Sequence, residues 1–174
     1  MAIMDDRIDA FLADIEAADT AAQAHVRRGE FGDEVAGQAA ERTLLERMRG
    51  TLGSTVQVTM PDRDITGTAC FLGRDIIVLA GVEVSVIAIR AVRGFRLTAR
   101  VHRFDAGGLE KLGLGSALRR WSAAYEEVSI DVADRAGSIR GRCALVASDY
   151  VEIAGRIIPF AVINAVHART NPFG

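Results

Sequence analysis

The stretch that decides the fold runs from Ile65 to Val92, ITGTACFLGRDIIVLAGVEVSVIAIRAV. Moved along by 74 residues it lies without a gap on Ile139 to Val166, IRGRCALVASDYVEIAGRIIPFAVINAV. Eight of the 28 aligned positions are identical: Ile65 with Ile139, Gly67 with Gly141, Asp75 with Asp149, Ala80-Gly81 with Ala154-Gly155, Ile89 with Ile163, and Ala91-Val92 with Ala165-Val166. Most remaining positions exchange one apolar residue for another, as Leu79 and Ile153 do. Upstream, Val56 and Val58 match Val128 and Ile130 at a shift of 72, so the second copy has two extra residues in its first hairpin turn. An internal repeat of this kind decides architecture before any motif does.

Within each copy the side chains alternate as in strands. Val56, Val58 and Met60 alternate with Gln57 and Thr59, and Pro61-Asp62-Arg63-Asp64 supplies turn chemistry before a run rich in β-branched residues. Gly67 and Gly141 fall inside strands, where a missing side chain lets a short sheet bend sharply. Asp75 and Asp149 suit turns, and Gly81 and Gly155 are free to take positive φ. Five short strands with a glycine bend predict a small, strongly bent antiparallel barrel for each copy. In the ungapped alignment Pro159 stands where the first copy has Ser85, so the second copy is expected to lose a backbone donor at that edge and to pair differently.

Outside the repeat the period is helical. Ile8, Phe11, Leu12, Ile15 and Ala18 form one stripe between Asp5 and Arg28, and Gly29 to Asp33 breaks it. Asp33 is a natural N-cap for a second helix carrying Val35, Ala39, Leu44, Leu45 and Met48. Two helices so joined predict an antiparallel hairpin over residues 1–50. Asp105-Ala106-Gly107-Gly108 reads as a linker, and Ser116 to Ala124 as a short helix. The expected organisation is therefore α+β: a helical hairpin (1–50), a first barrel (51–104), a linker with a short helix (105–124) and a second barrel (125–170).

The pattern resembles the Sm-like fold, the helix and five-strand bent barrel of Sm, LSm and bacterial Sm-like RNA chaperones. The residues that carry the likeness are Val56-Gln57-Val58, Ile65-Thr66-Gly67-Thr68, Asp75 to Leu79 and Val86 to Ile89 with Val92. In the second copy they are Val128-Ser129-Ile130, Ile139 to Arg142, Asp149 to Ile153 and Ile158 to Ile163. The resemblance covers about 90 residues in two pieces and implies two tandem Sm-like barrels and assembly into oligomers. The family's RNA contacts do not carry over. Val86-Ile87 and Phe160-Ala161 occupy the places of its basic or histidine pair, and Arg93-Gly94 falls later than its Arg-Gly signature.

Composition narrows the function further. The 174 residues are 49% hydrophobic and 25% charged with three prolines, which excludes a disordered chain. Cys70 and Cys143 stand in aliphatic runs without a second cysteine nearby, and read as buried free thiols of a reducing, cytoplasmic compartment. His25, His102 and His167 each lack a helical i+4 partner, and Gly113-Leu114-Gly115-Ser116 lacks the Lys-Ser/Thr of a phosphate loop. No catalytic constellation, metal site or cofactor is expected.

The net charge of −2 conceals two poles. Residues 1–34 hold nine acids against three arginines, whereas Arg90 to Phe104 holds Arg90, Arg93, Arg96, Arg100 and Arg103 and no acid. These five arginines are the candidate RNA-binding residues, with Phe95 and Phe104 placed to stack on bases. The expectation is a non-catalytic protein that binds RNA or a ribonucleoprotein through this surface. The alternative is a protein-interaction adaptor that assembles through the helical hairpin or a barrel edge strand.

Overall fold

The computed structural model describes residues 43–99 and 111–174. The predicted hairpin of residues 1–50 therefore lies outside the described residues except for its last turns, which form helix α1 (Leu44–Arg49). Thr43 and Glu46 cap that helix reciprocally: Glu46 N donates to Thr43 Oγ1 at 3.2 Å, and Thr43 N donates to Glu46 Oε2 at 2.8 Å. The chain divides into two compact units, 1–46 and 47–174.

The second unit is a single ten-stranded antiparallel sheet with one further α-helix. Its strands are β1 (Thr55–Thr59), β2 (Asp64–Leu72), β3 (Ile76–Ala80), β4 (Val84–Ala88), β5 (Gly94–Ala99), β6 (Glu127–Val132), β7 (Ser138–Val146), β8 (Tyr150–Ile153), β9 (Arg156–Pro159) and β10 (Ile163–Ala168). Helix α2 (Leu114–Ala123) separates β5 from β6. The spatial order is β5-β1-β2-β3-β4-β10-β6-β7-β8-β9. Each copy of the repeat contributes the same local order, fifth-first-second-third-fourth. The fourth strand of the first copy pairs with the fifth strand of the second, Val84 opposite Ala168 and Ile87 opposite Ala165.

This corrects the expected pair of tandem Sm-like barrels. Strand pattern specifies which residues face the core, but not which edge satisfies which. Here the β4 edge is taken by β10 rather than being turned back on its own copy, so the two halves share one open sheet and one core. That core joins Ile76, Val78 and Val86 of the first copy to Ile130, Ile153 and Ile163 of the second. Leu118 and Trp121 of α2 lie in the same cluster. The Trp121 indole N–H donates to Thr170 O at 3.0 Å, and Phe173 of the C-terminal segment stacks on Phe71 with ring centroids 4.3 Å apart.

The repeat itself is visible in the irregularities of the ladders. The β2–β3 pairing slips between Ala69 and Phe71, and the β7–β8 pairing slips at the positions 74 residues later, Cys143 and Leu145. After the next hairpin the offset changes. Ala80 pairs with Val84 across a three-residue turn, whereas Ile153 pairs with Arg156 across Ala154-Gly155, both at positive φ (50° and 71°). Asp75 O accepts from Ile89 N, and its counterpart Asp149 O accepts from Phe160 N, so from the fourth strand onward the copies correspond at a shift of 71. The late identities of the ungapped alignment are therefore coincidental. Pro159 corresponds to Ala88, not to Ser85.

Candidate interaction site at the seam and the open edges

The seam between the copies is polar at one point in an otherwise aliphatic ladder. Ser85 on β4 lies directly opposite His167 on β10. The two are 5% and 8% exposed, and Ser85 Oγ lies 2.9 Å from His167 Nδ1. His167 Nε2 lies 2.9 Å from Asp131 Oδ2 on β6 and also contacts Arg63 Nη2, so both ring nitrogens are engaged. Arg63, from the β1–β2 turn, forms an ion pair with the same carboxylate, and Ser138 Oγ donates to its other oxygen at 2.5 Å. Burial pushes the Asp131 carboxyl up, but hydrogen bonds from His167 and Ser138 and the charges of His167 and Arg63 outweigh it and hold the group below its ordinary range.

A serine, a histidine and an aspartate in a row are the ingredients of nucleophilic catalysis. The order on the ring is reversed here, with serine at Nδ1 and carboxylate at Nε2, and the hydroxyl is enclosed in an interior strand. What this arrangement does is join strands: one imidazole ties β4 to β6 through β10, and Arg63 ties the first copy's turn to the second copy's carboxylate. Among the described residues no buried side-chain nitrogen or oxygen lacks a partner, as a seam of this kind requires.

The predicted arginine surface is divided by the fold. Arg90 sits in the 3-10 turn Ile89–Ala91 and reaches across the seam, its Nη2 donating to Phe160 O at 2.8 Å and to Ile163 O. Burial lowers its pKa, partly offset by Asp75. Arg90 is thus a clamp between the copies. Arg93, just before β5, and Arg96 within it are exposed, and Arg96 Nη2 donates to Gln57 Oε1 at 2.7 Å, whose amide in turn donates to Asp64. Arg100 and Arg103 lie outside the described residues.

Sequence reasoning named Ser85 only as the counterpart of Pro159, did not single out Asp131 and treated His167 as an isolated histidine. The signal was the offset: at a shift of 71, His167 occupies the place of Arg96, and the two are read as equivalents only once the shorter hairpin is recognised. A cleft of about 460 Å³ beside the seam is lined by Arg74, Asp75, Arg90, Leu114 and Phe160, among others. A second, of about 500 Å³, mixes Glu83, Glu126 and Glu127 with Arg140, Arg142 and Arg169, and His167 touches its wall. Among the described residues no group of three or more His, Cys, Asp or Glu side chains is placed to hold a metal ion, and no helix is long and apolar enough to cross a membrane.

Two edges of the sheet remain. Among the described residues β5 has β1 as its sole strand neighbour, and β9 has β8. Ile157 on β9 is 68% exposed, whereas Val86, its equivalent on β4, is completely buried in the core. No protein-family model matches the chain, and no curated protein matches its sequence.

Proposed function

We propose that this chain is a non-catalytic, cytoplasmic protein-interaction adaptor that takes up a partner polypeptide along an edge strand of its sheet. One observation carries the reading. The chain joins its own two halves by edge pairing of a fourth strand with a fifth, and the same two kinds of edge recur at the ends of the sheet as β9 and β5. An extended strand added to an exposed edge gains main-chain hydrogen bonds, and side chains on alternate positions supply selectivity. Exposed Ile157 is the apolar surface such a strand would cover. The engagement of Arg90 within the seam takes one arginine away from the competing RNA reading, which retains Arg93 and Arg96 among the described residues.

The test is affinity capture with the wild-type chain and with Arg93→Glu/Arg96→Glu, before and after nuclease treatment. Partners that persist after nuclease and are lost in the variant support edge binding. Retention of single-stranded RNA by the purified chain, steeply weakened by salt and abolished in the variant, overturns it in favour of a nucleic-acid surface.

A further inference from the structure

The corrected offset shows what the open edges would meet if two chains joined as the two halves of one chain do. In the seam, Ala165, Val166, His167 and Ala168 face Ile87, Val86, Ser85 and Val84. Moving both sides by 71 residues places Gly94 of one chain opposite Ile158 of another, Phe95 opposite Ile157, Arg96 opposite Arg156 and Leu97 opposite Gly155. Phe95 meets Ile157 as Val166 meets Val86, while Gly94 and the turn residue Gly155 stand on the flanking rungs. At the one polar position the seam's serine and histidine are replaced by two arginines.

The surroundings do not remove that conflict. Asp131, which receives the charge of His167 and Arg63 in the seam, corresponds on β1 to Thr59. Arg96 itself donates to Gln57, whose amide donates to Asp64. Like charges directly opposite across an antiparallel pair are destabilising, and opposite charges are favourable. Pro159 does not block the edge, because it corresponds to Ala88, which lies beyond the β4–β10 ladder. Among the described residues, the mismatch at this rung is a pair of like charges.

We infer that the β5 edge selects a strand carrying a carboxylate in register with Arg96, flanked by apolar residues on the Ile157 pattern, and that Arg156 excludes the chain's own β9 from that place. The partner is thus a different polypeptide with an acidic residue at one defined position, and the chain is held back from growing head to tail on itself. This rests on the edge-binding reading above and specifies what the edge accepts.

The chain itself serves as the probe. Arg156→Glu converts β9 into a strand of the accepted kind, and Arg96→Glu restores complementarity from the other side. Sedimentation measurements over a range of concentrations should show about tenfold tighter self-association for each single reversal than for the wild type. The double variant Arg96→Glu/Arg156→Glu, with two acids opposed, should return to the wild-type mass. Circular dichroism checks that each variant is folded, and the two single reversals test the same pair from independent sites.

Two folded single variants that sediment as the wild type does overturn the inference. So does a double variant that stays assembled, or a wild type that assembles through β5 and β9 and is dissociated by either reversal. Each of these leaves the nuclease-resistant capture result standing on its own, so failure of the register rule is distinguishable from failure of edge binding.

Discussion

Ser85 and His167 face each other across the seam of the sheet, hydroxyl to Nδ1 at 2.9 Å, in the one polar rung of a ladder otherwise built from valine, isoleucine and alanine. The pair is enclosed, so its hydrogen bonds are not exchanged for water and their loss is felt in full. His167→Ala leaves Asp131 with fewer donors in a half-buried place and should lower unfolding free energy by about 2 kcal/mol. Ser85→Ala removes one neutral bond and should cost about 1 kcal/mol. Urea denaturation of both variants measures the difference.

Asp131 makes the seam sensitive to acid. Its folded pKa is depressed below the ordinary 3.8, so its contribution is complete above that value and disappears as pH falls through the lower, folded one. Unfolding free energy should decline as pH drops below about 4. Asp131→Asn, lower in stability at neutral pH, should show a shallower decline. Equilibrium unfolding at a series of pH values checks the slope, and equal slopes in the two proteins would contradict the assignment.

The two strand glycines are equivalent in sequence but not in consequence. A Cβ on Gly67 would stand 2.8 Å from Ala80 O and 3.1 Å from the Leu79 Cβ, whereas on Gly141 the closest atom is Ile153 Cγ1 at 3.4 Å. Gly67→Ala must move backbone and should cost about 2 kcal/mol or more. Gly141→Ala should be close to neutral. Thermal unfolding of the two variants provides the comparison.

Arg90 supplies two of the hydrogen bonds that carry the first copy's 3-10 turn onto the second copy. Arg90→Gln should destabilise the sheet by about 1 kcal/mol through the loss of charge-assisted bonds to two carbonyls. It should leave any partner bound at Arg93 and Arg96 unaffected. Loss of that partner in a folded Arg90→Gln variant would return Arg90 to the binding surface.

The cysteines are half-buried free thiols rather than fully enclosed ones. Burial pushes both upward, Cys143 to about 11. Since the thiolate is the reacting form, iodoacetamide at pH 8 should label Cys143 of the folded chain at least tenfold more slowly than in urea. Similar rates in the two states would show that this thiol is not shielded.

Much of the strand content was legible because β-branched runs alternate and glycines interrupt them at matching places. Val56, Val58, Ile130 and Ile153 lie in the core, where the alternation puts them. The seam was not legible. Its members Arg63, Ser85, Asp131 and His167 are spread over more than a hundred positions, and each alone looks like an ordinary turn or strand residue. The arginine cluster was misread in part for the same reason: Arg90 alternates with apolar neighbours as a solvated residue would, yet its target carbonyls belong to the other copy.

Repetition, period and turn chemistry are local properties, and they set the number of strands, their inward faces and the existence of two related halves. Edge pairing is a relation between distant backbones, and every edge offers the same row of N–H and C=O groups. Which edge meets which is decided by the side chains that come together when it forms. Ser85 with His167 closes the seam between the halves, and Arg156 against Arg96 keeps the ends apart. Only the folded sheet, with the hairpin that changes the offset from 74 to 71 in place, sets those residues face to face.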